Sequence, residues 1–80
     1  MARIEIGTFL ASDSRVCGGR LIFRGTRILV ADALELLRAG YSAEETARQY
    51  HQVVSAPAVR EAARLTRSGV VREVITRPAA

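Results

Sequence analysis

Eighty residues, about half of them apolar, make one small domain and no more, and a domain of that size buries only about 60 to 65 per cent of its unfolded-state surface, so a lone monomer would be marginal. A single cysteine excludes an internal disulfide scaffold; the longest apolar run, residues 28–31, is far too short to cross a bilayer, and no secretory apolar stretch follows Met1, so a cytoplasmic protein without a membrane anchor is expected. The net charge of +4 rests on arginine alone, because there is no lysine; arginine forks suit phosphates and guanine edges, yet an arginine- and alanine-rich chain is also what a GC-rich coding sequence yields, so only placement decides what the charge does.

Residues 3–10 read as a first strand. Ile4 and Ile6 alternate with Glu5 in the period-2 pattern of a half-buried strand, and Gly7 interrupts the pattern before Phe9 and Leu10 resume it. The polar, glycine-ended stretch at residues 11–19 then reads as a hairpin connection to a second strand at residues 20–24. Alternation there places Leu21 and Phe23 on an apolar face and Arg20, Ile22 and Arg24 on a basic one. A two-stranded ribbon is marginal in water, so it is expected to pack on the helices, on a second copy, or both.

From Val30 the period changes to nearly four. Val30, Ala33, Leu34 and Leu37 line one face of a first helix that ends at Gly40, with Arg38 favourably placed at the negative end of its dipole. Ser42 and Glu45 form a capping-box pattern that opens a second helix over residues 43–50, its inner face being Ala43, Thr46, Ala47 and Tyr50. After a turn at residues 51–56, Pro57 suits the first position of a third helix over residues 57–67, with Ser55 or Ala56 at the cap. Val59, Ala62, Ala63 and Thr66 are its expected inner face. Arg60, Arg64 and Arg67 recur at i, i+4 and i+7 as an exposed stripe, with Glu61 the helix's one acid. Such a stripe suits a solvated surface or, in a helix-turn-helix, a DNA major groove. Past Gly69, the apolar residues Val70, Val71, Val74 and Ile75 would share one face of a helix too short to stand by itself, which needs its own core or a partner to lie against.

Residues that could carry covalent or metal chemistry are sparse. One histidine, His51, and one cysteine, Cys17, show no zinc spacing, so neither a metal nor any other cofactor is expected. Gly18 and Gly19 lack the lysine and hydroxyl residue of a phosphate loop and read as turn geometry, and Cys17 as a small half-buried turn residue. A Ser-His-Asp set would require His51, which has no orienting acid nearby, so an enzyme is not expected. From Arg15 to Arg27 inclusive there are four arginines and no acid. Arg20 and Arg24 are therefore a second candidate nucleic-acid surface, while Arg27 is expected to pair with Asp32 or Glu35 and Thr26 to hold the bend with its hydroxyl.

The centre of the chain is residues 16–32, V-C-G-G-R-L-I-F-R-G-T-R-I-L-V-A-D, followed at residues 35–45 by E-L-L-R-A-G-Y-S-A-E-E. Over roughly residues 9–65 these motifs resemble the domain-of-unknown-function family DUF433, many of whose members resemble VapB-type antitoxins. The chain departs from the family pattern at Leu21, Leu29 and His51, where proline is usual. The resemblance implies an α+β domain over residues 1–69, an N-terminal β-ribbon (residues 1–29) followed by a three-helix, homeodomain-like helix-turn-helix bundle (residues 30–69), with residues 70–80 as a tail. It implies an antitoxin that sequesters a cognate PIN-like ribonuclease toxin and binds operator DNA, and the marginal ribbon makes a homodimer through its strands the expected assembly. The expected DNA contacts are Arg60, Arg64, Arg67, Arg20 and Arg24. The expected partner contacts are Val70, Val71, Val74 and Ile75. A stand-alone DNA-binding regulator and a structural interaction module are the alternatives.

Overall fold

A computed structural model describes residues 3–69. The fold is α+β, as the change of period predicts: an antiparallel sheet of β1 (Arg3–Ile6), β2 (Leu10–Asp13) and β3 (Leu21–Phe23), then α1 (Val30–Arg38), α2 (Ala43–Gln49) and α3 (Ala56–Arg67). The two-stranded ribbon is corrected to three strands in the order β1-β2-β3. The expected first strand folds back on itself at Gly7, whose φ of 62° lies in the left-handed region that favours glycine. Residues 11–13, read as part of the connection, therefore complete a strand. Leu10 pairs with Ile6 on one side and with Phe23 on the other.

The second correction concerns Ile22. Alternation puts it opposite Leu21 and Phe23, yet all three residues of β3 are buried. The returning chain pairs along the edge of β3 away from β2, with Leu29 bridging to Ile22 and the Phe23 amide donating to the Ile28 carbonyl at 3.0 Å. A strand covered on both faces loses the alternation that marks a half-exposed one. Thr26 holds this return as expected: its Oγ1 donates to the Phe23 carbonyl at 2.8 Å and accepts from the Ile28 amide at 2.9 Å. Earlier in the chain, Gly18 and Gly19, with φ of 67° and 85°, turn the chain between β2 and β3 beside a half-buried Cys17.

Local signals set the helix ends. Gly40 at φ 108° closes α1 with paired bonds from the Gly40 amide to the Leu37 carbonyl and from the Tyr41 amide to the Leu36 carbonyl, the Schellman arrangement. Ser42 and Glu45 form the reciprocal capping box. Ser55 caps α3 by accepting from the Ala58 amide, with Pro57 in the first turn. In the turn between α2 and α3, His51 and Gln52 hold φ of 55° and 65°. A proline ring forbids such a value, so the turn here differs from one with proline at that position.

The core joins one sheet face to the helices: Leu10, Leu21 and Phe23 meet Val30 and Ala33 of α1, Val54 of the turn, and Ala58, Val59, Ala62 and Leu65 of α3. Helix α2 contributes buried Thr46 and Ala47. The inner face of α3 is rotated from the expected one, with Ala63 and Thr66 half-buried and Ala58, Glu61 and Leu65 buried instead. Leu21 and Phe23, on the apolar face of the ribbon, are covered within one chain and only 3% and 2% exposed. Of the strand hydrophobics, Ile4 alone is exposed, at 61%.

Candidate nucleic-acid interface

The sheet's first turn and α3 are joined by a carboxylate. Glu61 is only 8% exposed, and its two oxygens accept from the backbone amides of Thr8 at 2.8 Å and Phe9 at 2.7 Å. A buried carboxylate is costly unless its lone pairs are filled, and here two adjacent N–H groups fill them. Gly7 permits the approach, since a Cβ there would collide with Glu61 Oε2. From the opposite side Arg24 grips the same turn, donating to the Thr8 carbonyl and pairing with Glu5 at 3.0 Å.

This clamp sets the electrostatics of α3. Glu61, the helix's one acid, turns inward to the clamp, while Arg60, Arg64 and Arg67 are all exposed on the outer side. The three guanidinium groups rim a groove of about 650 Å³ whose apolar wall includes Phe9, Leu37, Ala43, Pro57 and Ala63. They differ in how they are held. Arg60 pairs with Glu44 of α2 at 2.7 Å, and this contact holds the Glu44 carboxyl below its ordinary value. Arg64 reaches within 3.8 Å of Glu61.

Arg20 and Arg24 do not join this group. Arg24 is a clamp on the β1–β2 turn, and Arg20 is half-buried after the 3₁₀ turn of residues 17–19. Among the described residues no ion pair joins Arg27 to Asp32 or Glu35; the Arg27 carbonyl instead accepts from Cys17 Sγ at 3.5 Å. Val70, Val71, Val74 and Ile75 lie outside the described residues. On the sheet's other face a concavity of about 310 Å³ is lined in part by Arg3, Asp13 and Arg27. Its carboxylate is occupied: Asp13 accepts from the Arg15 amide at 2.9 Å and from Arg15 Nε at 3.3 Å. Among the described residues, no group of three or more His, Cys, Asp or Glu side chains could hold a metal ion, and no helix is long and apolar enough to cross a membrane.

Sequence reasoning passed over Glu61 and Gly7 as a pair. A lone acid in an arginine-bearing helix and a glycine inside a strand pattern were the available signals, but their meeting depends on how α3 lies across the sheet.

The family model for DUF433, described as a protein of unknown function, matches residues 11–65. No curated protein and no solved structure matches the chain.

Proposed function

The chain belongs to the DUF433 family, and from that premise we propose that it is the antitoxin of a type II toxin–antitoxin pair, binding operator DNA as a dimer through α3 and sequestering a PIN-like ribonuclease toxin. The observation that carries the DNA half is the inward turn of Glu61. With that carboxylate 8% exposed and committed to two backbone amides, the outer side of α3 presents three exposed guanidinium groups, of which Arg64 stays within 3.8 Å of Glu61. Helices α2 and α3, joined by a short turn, have the order of a helix-turn-helix whose second helix meets the major groove, and guanidinium groups suit its phosphates and guanine edges. The toxin half is supported by the resemblance to VapB-type antitoxins and by the apolar set Val70, Val71, Val74 and Ile75, whose spacing suits docking in a partner's groove.

The test is recovery of the full chain from its native cell, identification of the co-purifying protein by mass, and assay of duplex binding with and without that protein. A ribonuclease held at fixed stoichiometry and silenced, together with salt-sensitive duplex binding, is the expected result. Duplex binding with no protein partner converts the assignment to a stand-alone regulator, and the absence of both rejects it. Ending the chain after Ser68 is expected to abolish toxin capture while leaving duplex binding in place.

A further inference from the structure

Strand β1 is the outer strand of the sheet, and its neighbours explain why it differs from the other edge. Beyond β3 the sheet is closed by the Leu29 bridge to Ile22, whereas among the described residues nothing pairs with β1 on the side away from β2. All of Arg3, Ile4 and Glu5 are exposed, Ile4 at 61%. An open edge carrying a large aliphatic side chain is a template for another strand.

The order of residues along that edge selects the partner. We propose that β1 pairs antiparallel with β1 of a second copy of this chain, about a two-fold axis at Ile4. In that register Ile4 faces Ile4 of the other copy, and Arg3 of each copy faces Glu5 of the other. The two isoleucines lie on the side of the sheet that carries Leu10, because Ile6 pairs with Leu10 and Ile4 stands two residues from Ile6. Their contact therefore continues the core face across the seam. Arg3 and Glu5 lie on the opposite side, where they already pair within one strand at 3.3 Å and where Arg24 adds a second cation to Glu5. Centring the axis on residue 3 instead would set arginine against arginine, and centring it on residue 5 would set glutamate against glutamate. Like charges directly opposite are unfavourable, so the same charges that blunt the edge towards other strands specify this register. The result is a continuous six-stranded sheet with an isologous seam.

The seam gives the proposed DNA-binding dimer its interface but does not rest on DNA or toxin binding, and it is tested without either. Full-length protein is examined by sedimentation over a concentration series, beside Ile4→Asp. The wild type is expected to dimerise, and the variant to weaken the dimer about tenfold or more while keeping its circular dichroism and a cooperative melting transition, since Ile4 is exposed within one chain. Register is read by oxidation in a Cys17→Ser background. Ile4→Cys is expected to give a disulfide-linked dimer, because facing residues in a strand pair lie within disulfide reach. Glu5→Cys chains alone are expected to stay unlinked, whereas an equal mixture of Arg3→Cys and Glu5→Cys chains is expected to link. A wild type that stays monomeric throughout the series, an Ile4→Asp protein that dimerises as the wild type does, or linking through Glu5→Cys but not Ile4→Cys would each overturn the seam and leave the DNA and toxin readings to their own tests.

Discussion

Among single residues, Glu61 has the widest consequences, because one carboxylate fastens a helix to a hairpin turn and also stands within 3.8 Å of Arg64. Glu61→Ala leaves the Thr8 and Phe9 amides without their acceptor and is expected to cost about 3 kcal/mol in a urea titration. Gly7→Ala meets the same carboxylate and requires a left-handed φ, at a cost of about 2 kcal/mol. The two changes share one contact, so the double variant should lose less than their sum, and additivity would show that the clamp is not what Gly7 accommodates. Asp13 gives a pH test. The Arg15 amide, then its side chain, holds the Asp13 carboxyl below the ordinary 3.8. A carboxyl lowered in the fold stabilises at pH values above its unfolded pKa, and that contribution is lost as pH falls through the lowered one. Asp13→Asn should therefore flatten the fall in melting temperature below about pH 4, and an unchanged acid limb would exclude the contact as its source.

At the scale of elements, α3 is amphipathic in two senses, with apolar residues and one carboxylate turned to the fold and arginines turned out. If Arg60, Arg64 and Arg67 each neutralise one phosphate in both copies of a dimer, log affinity should fall against log salt with a slope of about five. Arg64→Ala should lower that slope by about two. Arg60 behaves differently because Glu44 already holds it at 2.7 Å. Glu44→Gln releases that guanidinium and should tighten duplex binding without changing Arg64's share. Loss of affinity on Glu44→Gln would mean that the pair positions Arg60 for DNA instead of competing with it.

For the whole molecule, the small core divides the work between folding and assembly. Phe23 lies 2% exposed among α1 and α3 residues within a single chain, so Phe23→Ala should remove about 3 to 5 kcal/mol of stability. Its effect belongs to the monomer: at temperatures where the variant is still folded, its dimer affinity should match that of the wild type. A folded variant with a much weaker dimer would place Phe23 at the interface instead. Ile4 is the opposite case, open to solvent and unnecessary to the core of one chain. Chains of this length seldom have stability to spare, and pairing two sheets is one route by which such a domain adds buried area.

The sequence alone determined what depends on neighbours within a few residues. Ser42 with Glu45, Gly40 after α1, Ser55 and Pro57 before α3, and the change of period at Val30 are local chemistry, and the helices stand within a residue or so of where those signals put them. The bend at Thr26 was legible for the same reason, since its hydroxyl bonds residues close to it in the chain. What only the tertiary structure decided depends on distant chain returning to cover or satisfy a group. Ile22 is buried on the side away from Leu21 and Phe23, beside a chain return at residues 28–29, which no alternation pattern encodes. The first strand doubles back at Gly7, where the turn meets a carboxylate more than fifty residues away, and the inner face of α3 includes Glu61 and Leu65. Arg24 became a clamp and Arg60 an ion-pair partner through contacts that span 16 to 19 residues of chain. Charge in a sequence is only a count; the fold determines which charges are held within it and which remain for a partner.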